Sequence, residues 1–223
     1  MEEMKYKISE IFLSIDGEGP HAGGLSVFIR FYGCNLKCSY CDSGYACNGG
    51  AYHELSLAEL SDTVSRYNCR HITITGGEPL MQRGIDSVVS HLLKNGYEVD
   101  IETNGSIDPC GIPDEASILA DMKSPSSGQE PRNRTSIIGK LRPGKDILKL
   151  VLSKEDFGWA EDLLRRHPPE CLVYLSPIFG KLRPSELVEF AMHLANCFPE
   201  MAQRLRVQLQ LHKIIWPGIL KGV

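Results

Sequence analysis

Six short runs rich in β-branched and apolar residues recur along the chain: Ser26–Tyr32, His71–Thr75, Glu98–Glu102, Ile118–Met122, Ile147–Leu152 and Leu172–Leu175. Each reads as a short strand, several of them buried on both faces. Helical patterns lie between several of these runs. Ser56-Leu-Ala-Glu59 carries a capping-box signature, and Leu57, Leu60 and Val64 then share one face. Ile85, Val88, Val89 and Leu92 form a second stripe, ended by Asn95-Gly96. Trp159, Leu163 and Leu164 suggest a third helix, and Pro184–Cys197 a fourth, with Leu187, Phe190, Ala191 and Leu194 facing inward. Strand–helix alternation of this kind predicts parallel βαβ units in a single α/β domain, with six strands able to form a partial barrel. A chain of 223 residues is long enough for one sizeable core and short for two. The Ser, Pro, Gly and Arg-rich stretch Ser124–Gly144 interrupts the pattern and reads as a long functional loop. Arg206–Leu211 is a seventh strand-like run.

The net charge of −4 argues against a nucleic-acid surface built from bulk charge, so no direct nucleic-acid partner is expected. No apolar run approaches a membrane span, and the first residues have no signal-peptide core. The expectation is a cytoplasmic protein with no membrane partner. In that setting eight cysteines read as metal ligands, reactive thiols or small buried residues, not as a disulfide framework.

Three of the eight are regularly spaced. Gly33-Cys34-Asn-Leu-Lys-Cys38-Ser-Tyr-Cys41-Asp42 follows the first confident strand, so it occupies the loop at that strand's C-terminal end, where barrel-type α/β enzymes place their chemistry. The spacing lets one tight loop converge three thiolates. A cubane iron–sulfur cluster takes one thiolate per protein-bound iron, which leaves a fourth iron open to an exogenous ligand. A structural zinc site is the competing reading, with Cys47 as a possible fourth ligand. The other scattered cysteines, Cys69, Cys110, Cys171 and Cys197, read with Cys47 as buried or incidental.

The CxxxCxxC with Tyr40 inside it resembles the signature of the radical S-adenosylmethionine (SAM) superfamily. Thr75-Gly76-Gly77-Glu78-Pro79, just after the next strand, resembles the GGEP motif of that superfamily. The resemblance implies a 4Fe–4S cluster on Cys34, Cys38 and Cys41, SAM on the open iron, and a 5′-deoxyadenosyl radical that abstracts hydrogen from substrate. It also implies the partial six-stranded barrel of the radical SAM kind. Glycines in the second motif would let the backbone approach the methionyl group of SAM.

Further motifs narrow the resemblance. Ile15-Asp16-Gly17-Glu18-Gly19, Arg30, Cys41-Asp42-Ser43, Glu102-Thr103-Asn104-Gly105, Asp121-Met-Lys123-Ser124-Pro125, Ser176-Pro177 and Gln210-Leu211-His212-Lys213 follow in the order found in 7-carboxy-7-deazaguanine synthases. The resemblance spans nearly the whole chain. It implies a radical ring contraction of 6-carboxy-5,6,7,8-tetrahydropterin to 7-carboxy-7-deazaguanine, with loss of ammonia, in queuosine-type or archaeosine-type 7-deazapurine biosynthesis.

By that resemblance Ile15, Asp16, Gly17, Glu18, Arg30, Thr75 and His212 bind the pterin, with the Arg30 guanidinium gripping its carboxylate as a fork. Gly77, Glu78, Glu102, Asn104, Ser124, Pro125, Ser126, Ser176, Pro177, Ile178 and Phe179 line the SAM site. Ser43 binds Mg2+, where the family commonly has threonine. A flavodoxin- or ferredoxin-type electron donor and a homodimer are expected on the same ground. The implied layout is one radical SAM domain over residues 1–223. Within it lie an N-terminal substrate-binding segment (1–25), a cluster loop (33–43) and a C-terminal cap (200–223). The chain departs from the family at Asp16, where glutamine is usual, and at Ser176, where many members have glutamine. It also continues past the His-Lys pair to Val223. A glycyl-radical-activating enzyme, which shares the CxxxCxxC, is the alternative activity, and a zinc or iron–sulfur binding module the non-enzymatic one. The early Asp-Gly-Glu-Gly and the late His-Lys favour the deazapurine reading.

Overall fold

The computed structural model describes residues 4–47 and 49–223; residues 1–3 of the expected N-terminal segment lie outside the described residues. The chain runs β1 (Lys5–Ile15), β2 (Leu25–Phe31), α1 (Gly44–Cys47), β3 (His53–Ser56), α2 (Leu57–Ser65), β4 (His71–Gly76), α3 (Ile85–Lys94) and β5 (Glu98–Thr103). It continues through β6 (Ser117–Met122), β7 (Ile147–Leu152), α4 (Phe157–Arg166), β8 (Leu172–Pro177), α5 (Pro184–Cys197), β9 (Leu205–Val207) and α6 (Leu211–Ile215). The strands form one sheet in the order β3-β1-β2-β4-β5-β6-β7-β8-β9. From β2 onward every pairing is parallel, and β1 pairs antiparallel with both β2 and β3.

All six expected strands are present and consecutive in the sheet, so it is an open partial barrel of the expected type. Two strands were not foreseen. In β1, which lies between β3 and β2, Tyr6 and Ile8 are buried while Lys5 and Lys7 are exposed, a short period-2 pattern that reads weakly against its polar neighbours. The expected seventh strand is cut to Leu205–Val207, because Leu211 already opens α6. The segment Ser124–Gly144 is ordered into three 3-10 turns and buries Ile137 and Ile138.

Alternation along the parallel strands separates two faces. Val27, Ile29 and Phe31, Ile72 and Ile74, Val99 and Ile101, Leu148, Leu150 and Leu152 point outward into the main core. The helical stripes meet them there: Leu60 and Val64, Val88, Val89 and Leu92, Leu163 and Leu164, Leu187 and Leu194. The Ser56 hydroxyl and Glu59 carboxylate satisfy each other's backbone N–H groups at the start of α2, as the capping box requires. The opposite, inner face is polar at most positions. It carries Ser26 and Arg30, His71, Thr73 and Thr75, Asp100 and Glu102, Asp121, Lys149 and Ser176, all but Glu102, Asp121 and Lys149 among the most deeply buried residues. Leu119, Ile147 and Tyr174 form a small apolar cluster on that side.

The outer layer carries most of the apolar burial. Leu92→Ala, at a fully buried position on α3, is expected to lower unfolding free energy by about 2–5 kcal/mol in a urea titration, through lost transfer energy and an unfilled cavity.

Candidate active site

The three cysteines follow β2 at the C-terminal end of the parallel sheet, on a loop tied down from two sides. Gly33 turns the chain with φ 101° and donates its N–H to Ala46 O at 2.8 Å. Ser39 reaches across to the segment after β6, its N–H to Ser127 O at 3.0 Å and its hydroxyl to Ser126 O at 2.6 Å. The turn after β4 packs directly beneath. A Cβ on Gly77 would lie 2.1 Å from Gly33 O and 2.8 Å from Cys34 Cβ, and one on Gly76 would lie 2.2 Å from Phe31 O. The two glycines are therefore required by the contact between this turn and the cluster loop.

The Cys34 sulfur accepts from the Leu36 N–H at 3.4 Å and the Asn104 Nδ2–H at 3.7 Å, contacts that favour its thiolate. The Cys47 thiol on α1 donates to Ser43 O at 3.5 Å, and its nearness to Cys34 and Cys41 pulls both below the ordinary thiol range. Among the described residues, the sets whose ligand atoms all lie within 4.8 Å of one another are His21/His71/Asp100 and Glu161/His193/Cys197. The three clustered cysteines are not such a set. At least one sulfur–sulfur separation among the three therefore exceeds 4.8 Å. Tetrahedral zinc with Zn–S near 2.3 Å would draw its sulfurs to about 3.8 Å apart.

Two adjoining cavities open at this end of the sheet. The larger, about 530 Å3, is walled by Cys34, Cys38, Cys41, Gly77, Asn104, Ile178 and Phe179 among others. The smaller, about 310 Å3, is walled by Ile15, Asp16, Gly17, Glu18, Arg30 and His212, with the C-terminal residues Trp216 and Val223 across from them. Glu18, Asp42, Ser43, Thr75, Glu102, Phe179 and Lys213 belong to both walls. The residues expected at the substrate thus gather in one chamber, and the cysteines with Gly77, Asn104, Ile178 and Phe179 in the other.

Six of the residues expected at SAM lie off both walls. Glu78 is completely buried and spent inside the protein. Its carboxylate accepts from Leu80 N–H at 3.0 Å, the Thr103 hydroxyl at 2.9 Å and Asn104 N–H at 2.7 Å. It clamps the end of β5 to the turn after β4, and burial pushes its pKa up to about 7. The Ser124 hydroxyl donates to Val151 O, and Ser126 bonds Ser153 and Asp156. Pro125 starts the 3-10 turn between them. Ser176 and Pro177 close β8; the Ser176 hydroxyl is buried without a partner.

Ion pairs stud the walls. Lys149, in the middle of β7, pairs with Glu18 and Lys123 with Asp121 at 2.8 Å. Burial disfavours both ammonium groups, but the carboxylates outweigh it and hold them charged. Burial likewise opposes ionisation of Glu18, and Lys149 overcomes it, with Gln210 donating to Glu18 at 2.9 Å. The Thr75 hydroxyl donates to Glu102 at 2.7 Å. Arg30 is aimed by Glu10 at 2.8 Å, itself fixed by the Tyr45 hydroxyl at 2.6 Å; the guanidinium reaches the Ser43 hydroxyl at 3.4 Å. Asp42 accepts from Ser43 at 3.0 Å and pairs with Lys213 at 2.7 Å, which keeps it ionised despite burial. His212 packs on Gly17, where a Cβ would come within 2.5 Å of its Nδ1. Glu10, Lys149, Gln210 and the C-terminal residues were not singled out from sequence as site residues. A lysine inside the otherwise apolar Ile147–Leu152 run was the signal for Lys149.

Fold and site together define a radical SAM enzyme, and the radical SAM superfamily model matches residues 28–127. Over the full length, the 7-carboxy-7-deazaguanine synthase of Clostridium acetobutylicum is 36% identical across 99% of this chain and 100% of that protein. That of Methanospirillum hungatei is 35% identical across 94% of this chain and 85% of that protein. The crystal structure of QueE from Escherichia coli superposes with a TM-score of 0.73 at 22% identity, over 93% of this chain and 94% of that one. The chain belongs to the 7-carboxy-7-deazaguanine synthase family.

Asp16 offers a pH test. Burial, followed by the nearby Glu102, pushes its carboxyl up to about 7, against about 3.9 in an unfolded chain. Between these values the folded protein holds a proton the unfolded chain has released. Stability from this group is complete below about pH 4 and is lost as pH rises through about 7. Asp16→Asn should match the wild type near pH 4 and exceed it by about 1 kcal/mol or more at pH 8, measured by urea unfolding across that range.

Proposed function

We propose that this enzyme converts 6-carboxy-5,6,7,8-tetrahydropterin to 7-carboxy-7-deazaguanine with loss of ammonia, in 7-deazapurine biosynthesis. The observation that carries the reading is the pair of chambers sharing Ser43, Thr75 and Glu102: one holds the cysteines, the other a fork of arginine and a buried carboxylate. Cys34, Cys38 and Cys41 would hold the 4Fe–4S cluster, and Gly77, Glu102, Asn104, Ile178 and Phe179 would line the SAM bound to it. Asp121 Oδ1, buried without a hydrogen-bond partner, is an acceptor in reserve for a ligand's donor. When bound, cluster and SAM supply the organic radical that initiates the reaction.

The protein's own residues bind and orient. Glu18 is kept ionised by Lys149 and acts as an acceptor only, suited to the N–H edge of a pterin. Glu10 and Tyr45 hold the Arg30 guanidinium rigid, so its remaining N–H groups can take the substrate carboxylate at little ordering cost. Thr75 donates to Glu102, which orients its hydroxyl at the wall common to both chambers. Asp16, near neutrality, can offer either a donor or an acceptor where the family usually places an amide. The Ser43 hydroxyl and Asp42 provide hard oxygen donors beside Arg30, fitting Mg2+ that also takes substrate oxygens and water. A small redox protein of the flavodoxin or ferredoxin type is the proposed electron source.

The reading is tested by incubating the cluster-loaded enzyme with reductant, SAM and the carboxytetrahydropterin. Formation of 7-carboxy-7-deazaguanine with SAM recovered is expected, and no product from a fully loaded enzyme rejects the assignment. Ser43→Ala should lower kcat/KM at least tenfold and abolish the response to Mg2+; an unchanged Mg2+ dependence removes Ser43 as the ligand.

A further inference from the structure

We infer that His21, His71 and Asp100 form a second metal site, for a divalent cation of the zinc class, at the N-terminal mouth of the barrel. His71 starts β4, and Asp100 lies on β5, where it pairs with Thr73. His71, Thr73 and Asp100 therefore share the inner face, and His71 and Asp100 are diagonal neighbours on it. His21 comes from the β1–β2 connection, the segment that also carries Asp16, Gly17 and Glu18.

The donor atoms are already gathered. His71 Nε2 lies 3.1 Å and His21 Nε2 3.8 Å from the same oxygen, Asp100 Oδ2, and the two rings sit 4.0 Å apart between centroids. One ligand atom from each residue fits within a mutual 4.8 Å. Two imidazoles and a carboxylate are a borderline-soft donor set, suited to zinc and poorly suited to magnesium or calcium. His71 and Asp100 are buried, and His21 leaves one side open for a water ligand.

The surroundings favour a cation. Asp100 lies directly against His71, and Asp16 and Glu98 place further carboxylates nearby, so the pocket is electronegative. A cation held between the two Nε2 atoms and Asp100 Oδ2 would sit in that field. It would also fasten the loop already closed by Asp16 N–H to Gly24 O at 2.7 Å and Gly24 N–H to His21 O at 2.8 Å. The consequence is a fixed position for Asp16 and Glu18 at the substrate chamber, remote from the cysteines.

The site is tested on cluster-loaded enzyme under anaerobic conditions, by titrating zinc against a competing chromophoric chelator and measuring zinc and iron per chain. Expected are one zinc per chain and at least tenfold weaker binding in His21→Ala and Asp100→Asn, with iron unchanged. His21 is half-exposed, so its truncation removes a ligand without opening the core. Cys197→Ser, which breaks the exposed Glu161/His193/Cys197 set, should leave zinc binding intact. No bound zinc, equal binding by His21→Ala, or loss of zinc only in Cys197→Ser overturns the assignment.

Discussion

The active end of the molecule depends on a backbone-to-backbone contact. The turn after β4 lies against the cluster loop so closely that no side chain can stand at position 77. Phe31 O and Gly33 O accept from Gly77 N–H at 3.1 Å and Glu78 N–H at 2.8 Å, which locks the ends of β2 and β4 together. Glu78 extends the lock to β5 by gathering three donors from that side and its own turn. Three neighbouring strand ends are thus held in one rigid piece before any ligand is considered. The thiols, Thr75 and Asn104 inherit their positions from it.

Around that piece the site is assembled by charge pairing on a buried face. Lys149 on β7 faces Glu18, Arg30 on β2 faces Glu10 on β1, and Lys123, just past β6, faces Asp121 within it. A lone buried charge would be driven to its neutral form; the pairs keep these groups ionised where water is scarce. Glu18 joins the N-terminal segment to β7, and Gln210 adds the C-terminal segment to the same carboxylate. One side chain thereby draws together three parts of the chain that are distant in sequence.

How much of this was legible in the sequence depended on whether the signal was local. The parallel strands were, because Ile147–Leu152 and its counterparts are β-branched or apolar runs buried on both sides. The capping box at Ser56 and the stop at Asn95-Gly96 were legible for the same reason. β1 was not, since Lys5, Lys7, Ser9 and Glu10 dilute its alternation. The Cys34–Cys41 spacing revealed the cluster loop. Motif order picked out many residues of the two chamber walls but could not separate those facing the cavity from those behind it. Glu78, Ser124 and Ser126 belong to the same stretches as Gly77 and Lys123, yet their side chains are taken up by hydrogen bonds within the protein. That distinction is set by tertiary hydrogen bonding, which no spacing encodes.

The two faces of the sheet carry separate duties. The outer face and its helices supply nearly all the apolar burial, while the inner face carries the polar and ionised residues. Residues such as Thr75, Glu102 and Asp121 can therefore change without dismantling the layer that keeps the chain folded, provided each buried charge keeps a partner. The scaffold is in this sense rewritable from within: a new arrangement of inner-face pairs yields a different cavity on the same outer shell.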